Sequence, residues 1–102
     1  MIKTGKNRVC QILGTEYPII QGAMALIAES NLAGAVSGGG GLGIIASGGA
    51  QGNWVVNEIK KIRSMTEKPF GVNIMLLDPN VEEISDMVCG EKGPVLTTGG
   101  GQ

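Results

Sequence analysis

The sequence predicts an α/β fold in which short apolar strands alternate with helices. Four apolar runs are centred at Ile20, Ile45, Val72 and Leu96, with spacings of 25, 27 and 24 residues. The segments between them carry apolar residues at helical intervals. Glycine is abundant, with 18 residues in 102, and it clusters between the apolar runs. Each interval holds one strand, one loop and one crossover helix, so the strands are expected to run parallel.

The first two strands enclose a glycine-terminated helix. The residues YPIIQ predict the first strand, behind a proline that commonly starts one; the residues before them are interpreted as a polar lead-in. Apolar and small side chains between Ala25 and Val36 fit a helix with one closely packed face. The GGGG run at 38–41 ends that helix, and LGIIAS, at 42–47, predicts the second strand.

The second half of the chain repeats this order twice. Asn53 is a candidate N-cap for a helix whose apolar residues recur at i, i+4 and i+7. After Lys68-Pro69, the run FGVNIMLL predicts the third strand. Asn80 and Glu83 form a capping-box pattern for the next helix, which Gly90 ends. The residues PVLTT predict the fourth strand.

Two architectures accept this order of elements: an open doubly wound sheet, and the first half of an eight-stranded β/α barrel, which needs about 250 residues. An open four-stranded domain is expected to finish with a helix over its last strand. Here the last strand is followed only by GGGQ. We therefore expect residues 1–102 to form the N-terminal half of a (β/α)8 TIM barrel, truncated, with four parallel strands and three crossover helices.

Composition excludes several functional classes. The net charge is −1, which gives no footprint for nucleic acid or for a polybasic membrane contact. Neither a signal peptide nor a run of about 18 apolar residues is visible. Cys10 and Cys89 lie far apart without a CxxC motif, so we expect a reduced, cytoplasmic protein with two ordinary cysteines. The chain contains no histidine, so an imidazole base cannot come from it.

One glycine motif is misleading. Gly38, Gly40 and Gly43 formally satisfy GxGxxG. The dinucleotide-binding motif must follow a strand and open a helix, so that helix N-terminal amides meet the pyrophosphate. Here a predicted helix precedes the glycines and a strand follows them. We therefore interpret this run as a structural turn.

Other residues lie where a parallel sheet usually carries its site, at the carboxyl ends of the strands. Glycines follow the first, second and fourth predicted strands at Gly22, at 48–49 and at 99–101. Asn73 interrupts the third strand, where a carboxamide either satisfies the sheet or binds a polar heterocycle. Thr97 and Thr98 have the same two interpretations, and at least one is expected to be an ordinary strand residue. Met24 is either a core residue or part of a pocket wall beside Gly22.

Four segments in order resemble one enzyme family over roughly residues 15–102. They are YPIIQGAMA, LAGAVSGGGGLGIIASG, KPFGVNIMLL and VLTTGGG. Together they are similar to the N-terminal third of flavin-dependent enoyl-acyl-carrier-protein reductases (type II), which are close relatives of nitronate monooxygenases, or 2-nitropropane dioxygenases. Leu26 replaces a frequent aromatic residue, and Gly100 replaces a frequent alanine. The first difference is expected to change the shape of the pocket.

The resemblance implies a TIM barrel that binds FMN and uses NAD(P)H as co-substrate. By position, it assigns Gly22, Ala23 and Met24 to the backbone that lies along the FMN, and Asn73 and Thr98 to the flavin ring. It also implies that the catalytic histidine and the loops that bind the FMN phosphate lie beyond Gln102. On this basis we expect a partial FMN-binding domain that is inactive alone, and no metal site.

Three hypotheses remain open at this stage. The first is an NAD(P)H-dependent enoyl reductase of fatty acid synthesis, acting on a small-molecule or carrier-protein-bound enoyl substrate. The second is a nitronate monooxygenase, which needs no pyridine nucleotide. The third is a non-enzymatic α/β binding module. Open edges at the first and last strands also predict a homodimer or aggregate of the isolated chain, with weak FMN binding, and no nucleic-acid or membrane partner is expected.

Overall fold

The computed structural model describes residues 7–24, 27, 29–91 and 94–99. The predicted helix start at Ala25, the substitution at Leu26 and the glycines at 100–101 lie outside these residues. Within them, seven elements follow one another in the order α1, α2, β1, α3, β2, α4, β3. Their bounds are Arg8–Leu13, Ser30–Gly38, Gly43–Ala46, Gly52–Met65, Phe70–Met75, Val81–Gly90 and Val95–Gly99.

The described sheet has three parallel strands in the order β1-β2-β3 and does not close on itself. Ala46 is in register with Asn73, and Asn73 is in register with Thr97. The first of the four predicted strands is reduced to a single parallel bridge between Ile20 and Leu42. The predicted parallel order is therefore observed, with the first strand shortened to one pair of residues.

The two faces of the sheet differ in what covers them. Because alternate residues of a strand point to opposite faces, Ile45, Val72 and Ile74 share the face that α2, α3 and α4 cover, which we call the outer face. Ala46, Asn73 and Thr97 share the opposite face, which we call the inner face. The core between the outer face and the helices consists of Ala33, Ile45, Val55, Ile59, Ile62, Phe70, Val72, Ile74, Ile84 and Val88.

The helix ends correct three details of the sequence interpretation. Helix α1, which the sequence analysis treated as a polar lead-in, has Asn7 as its N-cap: Asn7 Oδ1 accepts a 2.8 Å hydrogen bond from the Val9 N–H. Asn53 does not cap α3; Gln51 occupies that position, and Asn53 lies inside the helix. Asn80 is the N-cap of α4 as predicted, but its side chain makes no capping hydrogen bond, so the capping box does not form.

The GxGxxG run is a structural turn, as predicted. It joins the end of α2 to the amino end of β1, with Gly40 at a φ of 106°. A Cβ at Gly43 would lie 1.9 Å from the carbonyl oxygen of Ala33, so this glycine lets α2 pack directly on β1. The glycines therefore lie at the end of the sheet opposite to the carboxyl ends of its strands.

The cysteines, the lengths of the helices and the potential metal ligands can also be compared with the sequence over the described residues. Cys10 is buried and Cys89 is exposed, and the two form no disulfide bond. The longest described helix, α3, has 14 residues, and none of the described helices has the length and apolar character needed to cross a bilayer. Among the same residues, no cluster of three or more potential metal ligands is present.

Candidate functional site

The carboxyl ends of the strands form one edge of the sheet, which we call the rim. The segments that leave the strands there are residues 21–24 after the Ile20 bridge, 47–50 after β1, and 76–78 after β2. Gly99 is the last residue of β3 at the same edge. Of the five residues predicted to bind the cofactor, Gly22, Ala23 and Met24 lie in these segments, and Asn73 and Thr98 lie in β2 and β3.

The first strand ends at Gln21, where a side-chain amide makes the hydrogen bonds to β1 that backbone groups would otherwise make. The Gln21 N–H donates to the Leu42 carbonyl at 2.9 Å, as in a regular parallel ladder. The next two bonds of such a ladder would come from the backbone. Instead, Gln21 Oε1 accepts from the Ile44 N–H and Gln21 Nε2 donates to the Ile44 carbonyl, both at 3.2 Å. The side-chain amide thus takes the place of the backbone at the edge of β1, and its Nε2 also donates to the Gly22 carbonyl, so that the main chain of Gly22 and Ala23 lies outside the ladder.

Asn73 is held on the inner face from two sides. Its Oδ1 accepts a hydrogen bond from Thr97 Oγ1 at 2.7 Å. Its backbone carbonyl accepts from Ser47, through the hydroxyl at 2.6 Å and the N–H at 3.3 Å. These contacts fix the carboxamide with its acceptor end toward β3, so that the two N–H groups of Nδ2 form its other end. Asn73 is half-buried, so the inner face presents an oriented amide.

The side chains of the two threonines of β3 point to opposite faces of the sheet, because successive residues of a strand alternate in direction. Thr97 lies beside Asn73 on the inner face, whereas Thr98 is in register with Ile74, a core residue of the outer face. The threonine side chain that contacts Asn73 is therefore that of Thr97. Thr98 lies next to the rim in sequence, but its side chain is on the outer face. Gly22 and Met24 are exposed and Ala23 is half-buried, in the segment that Gln21 frees.

Asp78 ties two loops of the rim together. Its Oδ2 accepts a 2.9 Å hydrogen bond from the Gly49 N–H, in the loop after β1, and Gly49 has a φ of 77°. Its Oδ1 accepts a 2.8 Å bond from the Asn80 N–H at the start of α4. These two backbone hydrogen bonds lower the pKa of Asp78 from its usual value, against a smaller opposing effect of burial. The side chain acts as a bridge between the β1–α3 and β2–α4 loops.

A cavity of about 410 Å³ opens outside this bridge. Its lining residues are Glu29, Ala46, Gly48, Gly49, Ala50, Gln51 and Trp54. Ala46 also lies beside Asn73 on the inner face, so the cavity adjoins the rim. Trp54, in the first turn of α3, is 38% exposed there.

Glu58 of α3 bonds to the start of the neighbouring helix α2. Its Oε1 accepts a 3.0 Å hydrogen bond from the Ser30 N–H at the start of α2, and its Oε2 lies 3.1 Å from Lys61 Nζ. Burial alone would raise the pKa of Glu58, but the bonds from Ser30 and the charge of Lys61 together hold it below the usual value. Glu58 therefore supplies the cap of α2 as a carboxylate.

Comparison with known proteins assigns these elements to a family. The family model of nitronate monooxygenases matches residues 6–95. A probable nitronate monooxygenase of Staphylococcus aureus is 42% identical over 71 residues, which are 70% of this chain and 20% of that protein. The match thus spans about a fifth of the length of this curated relative.

Solved structures superpose on most of the chain. FabK from Thermotoga maritima matches 92% of this chain and 30% of its own length, with a TM-score of 0.89 and 44% identity. A nitroalkane oxidase from Streptomyces ansochromogenes matches 81% of this chain and 25% of its own length, with a TM-score of 0.63 and 36% identity. The match to FabK confirms the predicted fold class, a β/α barrel represented by a part whose sheet is open.

The roles of three residues in this region were not predicted from the sequence. Gln21 was part of the predicted first strand, and its substitution for the backbone depends on the neighbouring strand. Asp78 precedes Pro79 in a typical turn sequence, which was a usable signal for a loop-capping carboxylate. Trp54 is the only tryptophan of the chain, and its exposure at the start of a helix depends on tertiary structure alone.

Proposed function

Because the chain belongs to the nitronate monooxygenase family, we propose that it forms the flavin-ring side of an FMN-dependent oxidoreductase. The inner face and the rim are the surfaces that would hold the ring. The members of this family are flavin-dependent oxidoreductases, and the proposal extends that assignment to particular residues of this chain.

The residues on this surface fit a flat polar ring. On the inner face, Ala46 has only a methyl group and Gly71 has no side chain, so there is little bulk beside the Asn73 carboxamide. Among the described residues, no atom lies within 4 Å of the position that a Cβ of Gly22 would take, so a ligand can approach its backbone closely. The ring of a flavin carries carbonyl oxygens and nitrogens along one edge, and these match N–H donors. Donors of this kind are available from Asn73 Nδ2 and from the backbone that Gln21 releases.

The mechanism assigned to this chain is one of binding and orientation. A bound FMN supplies the chemistry of hydride transfer, which no side chain provides. Asn73, oriented by Thr97, would donate to the polar edge of the ring. The backbone of Gly22, Ala23 and Met24 would line one side of it and exclude water. The chain has no histidine, so it would contribute no imidazole for proton transfer.

Among the oxidoreductases of this family, we favour the enoyl-acyl-carrier-protein reductase, with NAD(P)H as the electron donor and an enoyl thioester as the acceptor. One observation carries this choice. The superposition on FabK is closer than the superposition on the nitroalkane oxidase, with TM-scores of 0.89 and 0.63 and with greater coverage of the chain.

A nitronate monooxygenase is the second candidate, and a specific observation favours it. The curated relatives that match over 71 residues carry that name, as does the family model. This activity would use oxygen as a co-substrate and would require no pyridine nucleotide. The binding surface described above serves both activities, because it concerns the flavin and not the substrate.

Turnover distinguishes the two candidates. The protein at its natural length, loaded with FMN, is given NADH or NADPH with a crotonyl thioester, and separately a nitronate with oxygen. We expect pyridine nucleotide oxidation that depends on the thioester. Oxygen consumption with the nitronate, without any need for NADH or NADPH, would instead assign the chain to the monooxygenases.

Flavin retention tests the binding surface itself. In the same protein, Asn73→Ala and Thr97→Val are expected to weaken FMN binding about tenfold, because each removes or misorients the amide donor. Thr98→Val, which changes the neighbouring side chain on the outer face, is the matched control and is expected to retain FMN. The measurement is the flavin-to-protein ratio after dialysis. If Thr98→Val lost flavin and Thr97→Val did not, the inner-face arrangement would be wrong.

A further inference from the structure

We propose that the cavity between Glu29 and Trp54 is a second binding site, which takes a planar nitrogen heterocycle bearing an exocyclic amino group. Adenosine is the simplest probe of that class. The site shares Ala46 with the inner face and residues 48–50 with the rim. The side chains that define it, those of Glu29, Gln51 and Trp54, lie outside both surfaces, so the proposal does not depend on the flavin assignment.

The volume and shape of the cavity suit one ring system. At about 410 Å³ it falls within the range of roughly 300–1,000 Å³ that is typical of ligand pockets. Gly48, Gly49 and Ala50 form a wall with almost no side chains. The Asp78 bond to Gly49 holds this wall in place at 2.9 Å. A preformed pocket of this kind needs little rearrangement to bind a ligand.

Trp54 supplies an aromatic surface on one side of the cavity. It is the only tryptophan of the chain, and 38% of it is exposed although it belongs to a helix with a well-buried apolar face. Residues Val55, Ile59 and Ile62 form that face, whereas Trp54 lies beside it. An exposed indole at a cavity wall provides area for stacking with a flat ring.

Glu29 and Gln51 supply the polar groups, and neither has a capping role. Glu29 occupies the N-cap position of α2, but the cap is supplied by Glu58 from α3. Gln51 occupies the N-cap position of α3 and makes no side-chain capping bond either. Asn31 Nδ2 lies 3.4 Å from Glu29 Oε1, which is a long hydrogen bond. Both side chains line the cavity, and their local structure does not require them.

The hydrogen-bonding groups of Glu29 and Gln51, together with the indole of Trp54, indicate which class of ligand fits the cavity. Glu29 is the one charged side chain among the described lining residues, and a carboxylate only accepts hydrogen bonds. A ligand on Trp54 must therefore present a donor toward Glu29. An aromatic amine does so while its ring stacks on the indole. Gln51 can both donate and accept, which suits a ring nitrogen beside the amino group.

Tryptophan fluorescence gives a direct readout of this site. The protein at its natural length is titrated with adenosine and with purine riboside, which has the same ring without the amino group. Excitation is at the red edge of tryptophan absorption, and the signal of a Trp54→Phe variant is subtracted. We expect saturable quenching by adenosine with an affinity about tenfold higher than that of purine riboside, the value of one charge-assisted hydrogen bond.

Matched variants assign the selectivity to Glu29. Glu29→Gln is expected to abolish the preference for adenosine. Glu67→Gln makes the same charge change at an exposed position just past the far end of α3, about 20 Å away by helix length, and is expected to retain it. Asn73→Ala is expected to leave adenosine binding unchanged, which separates this site from flavin binding. Absence of Trp54 quenching, or an equal loss of preference in both glutamate variants, would overturn the proposal.

Discussion

Gly43 shows how a single missing side chain sets the distance between a helix and a strand. The carbonyl oxygen of Ala33 lies 1.9 Å from the position of a Cβ at residue 43, and this atom belongs to the rigid backbone of α2. Any side chain there must move the helix away from β1. Gly38, in the same glycine run, has no atom within 4 Å of its Cβ position.

This pair gives a stability prediction with its own control. Gly43→Ala is expected to lower the free energy of unfolding by about 3 kcal/mol, the upper range for an overpacked core position. Gly38→Ala, at the exposed end of α2, is expected to be neutral or to stabilise by up to about 1 kcal/mol. Urea denaturation followed by circular dichroism measures both. Equal effects of the two substitutions would contradict the direct packing of α2 on β1.

At the same scale, the sequence singled out Asn73 as a candidate site residue, but it did not show that Thr97 would be its hydrogen-bond partner. A carboxamide within an apolar strand is visible as a departure from pattern. The choice between Thr97 and Thr98 depends on the register of β3 against β2, which is a long-range property. A shift of one residue would exchange the faces of both threonines. The sequence therefore identified the strand that contributes the hydroxyl, but not the residue.

At the scale of elements, two carboxylates join segments that are distant in the sequence. Asp78 reaches Gly49 across two loops, and Glu58 of α3 caps α2 at Ser30. The sequence predicted caps within each segment, at Asn53 and Asn80. The helices themselves were predictable because their apolar periodicity is local. Their starts were less so: at the start of α2 the Ser30 N–H donates to Glu58 of α3, and at the start of α4 the acceptor is Asp78 instead of Asn80.

Asp78 makes rim stability depend on pH. Since its pKa in the folded state is below its usual value of 3.8, it stabilises the fold above the unfolded-state pKa. This contribution is lost as the pH falls through the folded-state pKa. We expect Asp78→Asn to lower the Tm at neutral pH, and the gap from the unsubstituted protein to narrow below about pH 4.

Thermal melts between neutral and acidic pH measure this gap. Asp86→Asn, an exposed position on α4, removes the same charge and is expected to change the Tm little. A gap for Asp78→Asn that stayed constant down to the lowest pH would show that the carboxylate charge plays no part in joining the loops.

At the scale of the whole molecule, the sheet is open and its last strand exposes apolar surface. On the outer face of β3, Leu96 is 46% exposed, in contrast to its buried neighbour Val72 in β2. Strand spacing was enough to predict a parallel sheet that does not close, because each repeat of about 25 residues builds one β/α unit. The match to FabK agrees with that count.

An open edge predicts self-association of the 102-residue chain. We expect a concentration-dependent dimer or larger species in size-exclusion chromatography with light scattering, because an unpaired strand edge is a template for pairing. Leu96→Lys is expected to weaken association. Leu77→Lys introduces the same charge at a leucine that is 71% exposed in the loop after β2, and is expected to have little effect. A monomer at all concentrations would contradict this prediction.

The side-chain amide of Gln21 has a consequence for the geometry of the mouth of the barrel. The amide makes both hydrogen bonds to Ile44 that the backbone of a longer strand would make, and its Nε2 also donates to the Gly22 carbonyl. The main chain after Gln21 is therefore not paired with β1, and the position of Gly22 depends on the conformation of one side chain. A ligand bound over Gly22 would therefore contact a segment whose position Gln21 determines.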